Sequence, residues 1–116
     1  VYELMASAYN NIVTTVGSTG DVVVYTCPAA TEALIKNINL YNSHTGSVVV
    51  LCKITDSSAS VTVTLQKITL ATLASSSATV DVSFTGPFVL ETGDTLIFNC
   101  ATAAKIQVFA NVLEIS

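Results

Sequence analysis

The single histidine of the sequence, His44, precedes the second of three cysteines, Cys52, by eight residues. These residue types form zinc sites and cysteine–histidine nucleophilic pairs, and Cys27 and Cys100 would complete a Cys₃His ligand set. Zinc ligands usually occur in short local pairs such as C-x₂-C, and no such pair occurs here. No third residue to orient a cysteine–histidine pair is evident either. We therefore expect no metal, no cofactor and no catalytic residue.

The three cysteines are better interpreted as small apolar residues of the core. They form an odd set, spaced 25 and 48 residues apart, unlike the dense frameworks of small disulfide-rich domains. At most one bridge can form within a chain. We expect reduced thiols and synthesis in a cytoplasm.

Two further groups of residues are candidates for chemistry. Glu91 and Asp94, in LETGDTL, are a close carboxylate pair, but acid–base catalysis needs a cleft and calcium needs more oxygen ligands. Gly93–Asp94 between apolar FVL and LIF predicts a hairpin turn instead. Lys36 interrupts ALIKNINL, where protection of a sheet edge or an extended side chain over apolar neighbours is more typical than a reactive amine. Both features predict structural roles.

Alternation of apolar and polar residues with a period of two recurs along the chain, which is typical of half-buried β-strands. Turn-forming segments rich in Gly, Ser, Asp and Asn separate these stretches. The sequence predicts an all-β fold: a single antiparallel β-sandwich or jelly roll of about eight strands over residues 1–116. The expected strands lie near residues 10–16, 21–27, 33–41, 47–55, 61–70, 79–85, 95–100 and 105–115, with a bulge near Gln66 and Lys67. Pro87 predicts a strand entrance at Phe88.

Composition restricts the class of partner. The chain is 51% hydrophobic but only 10% charged, with net charge −4, four basic residues and no basic cluster. Phosphate and anionic membrane surfaces need concentrated positive charge, so we expect neither nucleic acid nor membrane as a partner. The longest unbroken apolar run, Val48 to Cys52, is far shorter than the roughly 18 residues of a membrane-spanning helix.

Three predicted strands, at residues 21–27, 47–55 and 105–115, carry apolar residues on both faces. A strand that is apolar on both sides must be covered on both sides, either by loops of its own chain or by another copy or another protein. The sequence leaves both explanations open. The residues expected at such an interface are Val23, Tyr25, Val49, Leu51, Phe109, Leu113 and Ile115.

Four short motifs lie between residues 22 and 115: a Tyr-Thr-x-Pro start, a Lys-x-Ile-x-Leu-x-Asn strand, a Leu-x-x-Gly-Asp turn and a final strand ending near Leu-Glu. These motifs are Tyr25, Thr26 and Pro28; Lys36, Ile38, Leu40 and Asn42; Leu90, Gly93 and Asp94; and Leu113 and Glu114. In these motifs the chain resembles a group of small virion proteins of tailed bacteriophages.

The resemblance implies a capsid decoration, or cement, protein: a β-sandwich, often a homotrimer, that contacts the major capsid protein on the outside of the virion. A tail, neck or fibre component is an alternative within the same class. A glycan-binding module is an alternative from another class, with Tyr2, Tyr9, Tyr25 and Tyr41 as its exposed aromatic residues. A cupin-like enzyme is disfavoured, since its metal site usually needs several histidines.

Overall fold

The computed structural model describes residues 7–43, 46–70, 88–101 and 106–116. These residues form eight β-strands: β1 (Ser7–Val16), β2 (Gly20–Thr26), β3 (Glu32–Asn42), β4 (Val48–Asp56), β5 (Val61–Leu70), β6 (Phe88–Leu90), β7 (Thr95–Cys100) and β8 (Ile106–Ile115). The predicted strand at 79–85 and the histidine His44 lie outside the described residues. Within them no helix is present that is long and apolar enough to cross a membrane.

The strands form two four-stranded antiparallel sheets. Sheet A has the order β1-β8-β3-β6 and sheet B the order β2-β7-β4-β5. Apart from β4 and β5, consecutive strands lie in different sheets, so the chain crosses repeatedly from one sheet to the other. This order is that of a jelly roll, in which two sheets bury a common core. The predicted fold class is confirmed.

The core is formed by the alternate residues that each strand directs between the sheets. In β8, for example, Ile106, Val108, Ala110 and Val112 are at most 2% exposed, while the intervening residues face outward. Branched side chains such as Ile and Val suit this pleated, half-buried arrangement. Phe98 of β7 is among the largest fully buried side chains.

Three β-bulges modify the alternation. An extra residue in β5, Leu65, is skipped between the pairs Cys52–Gln66 and Lys53–Thr64, one position from the predicted irregularity. Further bulges occur at Val24 in β2 and at Lys36 in β3. Each bulge reverses the side of the sheet toward which the following residues point. Neither of the last two was predicted.

Candidate functional site

The outer face of sheet A carries a line of apolar side chains across its four strands. Cross-strand register aligns one residue from each of its four strands into a single line, here called the apolar row: Val89, Leu34, Leu113 and Tyr9. Val89 is 63% exposed and Tyr9 is 72% exposed. Because large apolar side chains seldom line up in water without a partner, this row is a candidate contact surface.

An asparagine row follows the apolar row along the same face. Asn37, Asn111 and Asn11 lie side by side on three strands, and the amide of Asn111 donates to the side-chain oxygen of Asn37 at 2.7 Å. Lys36 is exposed at the bulge, with its Nζ 5.5 Å from the centre of the Tyr9 ring, a cation–π contact. This contact holds the lysine at the margin of the apolar row.

Two more rows follow the asparagine row. Asn39, Phe109 and Val13 form the third row, and Tyr41, Gln107 and Thr15 form the fourth. None of these four rows contains a Lys, Arg, Asp or Glu. A fifth row, formed by Ser7, Ile115 and Glu32, borders the apolar row on its other side and carries a carboxylate.

The outer face of sheet B is mixed, because charged and hydroxyl side chains lie on it beside Val23, Val49 and Leu51. Lys53 of β4 reaches across β7 to Asp21 of β2, with 3.0 Å between Nζ and Oδ1. Ile97 of β7 shares the row of Lys53 and is only 7% exposed. The amide of Asn99 also donates to Asp21, and these two hydrogen bonds lower the pKa of the carboxyl group. Four threonines, one per strand, form another row: Thr26, Thr95, Thr55 and Thr62.

The seven residues predicted at an interface do not form one patch. Phe109, Leu113 and Ile115 face outward from sheet A, Val23, Val49 and Leu51 face outward from sheet B, and Tyr25 points between the sheets. Val49, Leu51 and Leu113 are half-buried, and Phe109 is 40% exposed. None of these four is enclosed by the core.

Tyr25 and Val23, both expected at an interface, lie on opposite sides of sheet B. The bulge at Val24 turns Tyr25 inward, where it packs against the core and its hydroxyl donates to Glu114 Oε2 at 2.6 Å. Burial and the hydrogen bond to Glu114 raise the pKa of the Tyr25 phenol. Asn10 donates to the other oxygen of Glu114. Tyr25 thus joins β2 of sheet B to β1 and β8 of sheet A.

Sequence reasoning did not place three of the four residues of the apolar row at a protein interface. Tyr9, Leu34 and Val89 lie in segments that each look ordinary in isolation. They become a continuous surface only through the register of β1, β8, β3 and β6. Leu113 alone was identified, because its strand is apolar on both faces.

The cysteines are buried and free of disulfide bonds, as Cys27, Cys52 and Cys100 are at most 2% exposed. Burial raises the pKa of the Cys52 thiol to about 12, and burial also raises the pKa of the other two. A thiol that keeps its proton is a poor nucleophile and metal ligand. Among the described residues, no three His, Cys, Asp or Glu side chains are grouped so as to hold a metal ion.

The Glu91–Asp94 turn holds the two sheets together and is not a hairpin, because β6 belongs to sheet A and β7 to sheet B. Asp94 Oδ2 accepts from the Glu91 backbone N–H at 2.9 Å, and Oδ1 accepts from the Ser57 backbone N–H at 2.9 Å. The backbone of Cys27 bonds to both Gly93 and Asp94. Asp94 is 7% exposed, and both oxygens of its carboxylate accept these hydrogen bonds, so its role is structural.

Comparison with known proteins shows the fold alone. No family model and no curated protein matches the chain. A solved structure of the disulfide-linked pili that form Bacillus endospore appendages is similar, with a TM-score of 0.54, 16% identity, and coverage of 95% of this chain and 86% of that chain. The Eiger TNF of S. frugiperda is more distant, with a TM-score of 0.39, 13% identity, and coverage of 81% of this chain and 63% of that chain.

Proposed function

We propose that this chain is a non-enzymatic structural subunit that builds a larger particle through repeated protein–protein contacts. In the specific form, it is a capsid decoration protein that associates as a homotrimer on the virion exterior and contacts the capsid shell. The apolar row carries the proposal, because it crosses all four strands of sheet A with no charged side chain among its members. Burying such a line against a partner removes apolar area from water.

The contrast between the two sheets supports the choice of surface. Sheet B presents the Lys53–Asp21 ion pair and a row of threonines to solvent beside the exposed Val23. The apolar row of sheet A consists of hydrocarbon and one phenol, with the Lys36 Nζ over the phenol ring. The core of a protein interface is depleted of charge and enriched in aromatic side chains such as Tyr9. In a particle that repeats the contact many times, each contact can be weak.

The sequence resemblance to phage virion proteins supports the specific form of the proposal. The similar pilus structure belongs to an assembled filament, which is consistent with a jelly roll serving as a building block. The two assemblies differ in one respect that bears on this chain. That filament is disulfide-linked, whereas the three cysteines here are free and buried, so we propose non-covalent contacts.

Analytical ultracentrifugation at 10 to 100 µM tests the contact with a matched pair of variants. Tyr9→Ser/Val89→Ser removes the two most exposed members of the apolar row, and Val23→Ser removes a valine that is 54% exposed on sheet B. We expect the sedimentation of the wild type to give a molecular mass about three times the 12.1 kDa of one chain. The double variant should associate about 100-fold more weakly, since roughly 3 kcal/mol of apolar burial is lost. The Val23 variant should behave as wild type.

A wild-type protein that stays monomeric at 100 µM would contradict self-association through this face. Equal weakening by the Val23 variant would contradict the assignment to the apolar row. Mass spectrometry of particles purified from cells that express the gene tests whether the chain is a capsid decoration protein. Such a protein is present in stoichiometric ratio to the major capsid protein. Its absence from such particles would leave no support for the virion proposal.

A further inference from the structure

The end of sheet A opposite the apolar row contains an open depression of about 420 Å³. Four side chains form its floor in a checkerboard: Asn39 lies across from Phe109, and Tyr41 lies across from Gln107 on the same two strands. The two aromatic rings thus occupy one diagonal and the two primary amides the other. Val13 and Thr15 of β1 close one side. Diagonal neighbours in a sheet are about 7 to 8 Å apart, within reach of one small ring-shaped ligand.

The polar groups of this depression are available for a ligand. In the described part of the chain, the side chains of Asn39, Tyr41 and Gln107 make no hydrogen bond with another residue. Asn37 and Asn111, in the neighbouring row, bond to each other at 2.7 Å. The amides nearest the rings therefore have free donors and acceptors, while those farther away are engaged.

We propose that this depression binds a neutral oligosaccharide of hexose units. A hexopyranose ring has one face of C–H groups, which packs on an aromatic ring, and a rim of hydroxyls that both donate and accept hydrogen bonds. A primary amide also donates and accepts, so the pairing of Phe109 and Tyr41 with Asn39 and Gln107 matches both features of the sugar. Phe109 is 40% exposed, which leaves ring surface for the contact.

The chemistry of the lining selects among sugars. Asn39, Gln107, Thr15 and Val13 carry no charge, and among the described residues no basic side chain lines the depression, so a neutral sugar fits it better than a sialic or uronic acid. The depression is open rather than enclosed, which fits internal units of a chain better than a single buried sugar. Such binding is weak for each copy and gains strength when many copies act together.

The proposed sugar site and the apolar row can be occupied together. Leu113 of the apolar row and Gln107 of the depression are six residues apart on β8, which corresponds to about 20 Å along a strand. The asparagine row lies between them. A protein contact centred on the apolar row therefore leaves the depression facing outward.

Saturation-transfer NMR with wild-type protein tests the inference directly. The probes are maltohexaose and cellohexaose at 5 mM, with sialyllactose as an acidic comparison. We expect saturation transfer to at least one hexaose at millimolar affinity, unchanged between 50 and 500 mM NaCl, and none to sialyllactose. Absence of transfer to both hexaoses, or transfer to sialyllactose alone, would overturn the proposal.

Variants then locate the site. Tyr41→Ala removes one ring of the checkerboard, and Gln107→Glu replaces an amide with a carboxylate at an exposed position. Each should weaken hexaose binding at least tenfold, while Val61→Ser, at an exposed position of β5 in sheet B, should leave it unchanged. Circular dichroism checks that each variant is folded. Retained binding in Gln107→Glu, or loss of binding in Val61→Ser, would refute the assigned site.

The measurement is independent of the structural role proposed above. It reports binding by each copy, so a monomeric protein that binds hexaose would refute only the particle contact. An oligomer that shows no hexaose binding would refute only the sugar site.

Discussion

Substitution of Asp94 tests whether one buried carboxylate joins the ends of the two sheets. Its two oxygens accept from the backbone N–H groups of Glu91 and Ser57, each at 2.9 Å, and from Ser57 Oγ at 3.3 Å. In Asp94→Ala the two backbone donors lose their acceptor. An unsatisfied donor costs about 1 to 3 kcal/mol, and the lower half of that range applies because both loops are partly open to water.

The expected loss is therefore about 2 to 4 kcal/mol of unfolding free energy, or a decrease in Tm of roughly 10 to 15 °C for a chain of this length. Asp94→Asn should be nearly as destabilising, since one amide group then presents a donor to a backbone N–H. Chemical denaturation followed by circular dichroism measures both.

Asp56→Ala is the matched control, because Asp56 also accepts three hydrogen bonds, from the backbone N–H and hydroxyl of Ser58 and from the backbone N–H of Ala59. These bonds lie within one exposed turn and connect no other element, so we expect a clearly smaller loss. The reasoning is refuted if Asp94→Ala costs less than about 0.5 kcal/mol, within the range of ordinary surface substitutions. It is equally refuted if the two alanine variants are destabilised by the same amount.

Two further predictions concern glycine and cysteine. Gly93 and Gly20 both have positive φ, 86° and 87°, but a Cβ on Gly93 would lie 2.8 Å from Ser57 Oγ whereas one on Gly20 meets nothing within 4 Å. Gly93→Ala should therefore lose measurably more unfolding free energy than Gly20→Ala, which incurs only the backbone strain of about 1 kcal/mol. Equal losses in urea denaturation would show that the close approach to Ser57 Oγ is unimportant. For Cys52, the unfolded thiol ionises near its ordinary pKa of 9.0 and the folded thiol only near 12, so above pH 9 the unfolded state binds fewer protons. The unfolding free energy should fall by about 1.4 kcal/mol per pH unit between these values. In urea titrations at about pH 8.5 to 10.5, the unfolding free energy of Cys52→Ala should fall less steeply than that of the wild type. Equal slopes for the two proteins would contradict this expectation.

The strands were largely predictable from the sequence because each one carries its own signal. In β8 the alternation of Ile106, Val108, Ala110 and Val112 with outward residues reports burial on one side, whatever the neighbouring strand is. The turn at Gly93 was predictable as a turn, since a positive φ favours glycine. Its connection was not, because the same local chemistry serves a hairpin and a crossing between sheets.

The candidate site was less predictable, because it depends on relations between distant segments. The apolar row exists only when Tyr9 meets Leu113 and Leu34 meets Val89. Register of this kind has no local signature. A bulge adds a second difficulty: the extra residue Val24 changes the side on which Tyr25 lies, and the continuous apolar run VVVY around it does not mark the position of the extra residue.

The pairing of β8 with both β1 and β3 has a consequence for synthesis on the ribosome. β8 is the last of the eight strands to be translated, yet it occupies the second position of sheet A, between the first strand and the third. Until it emerges, β1 has no hydrogen-bonding neighbour in its sheet among the described strands, and the apolar residue Ile12 lacks its cross-strand partner. The nascent chain must therefore keep its earlier strands from pairing with other chains until translation has reached the final strand, a task for which chaperones are suited.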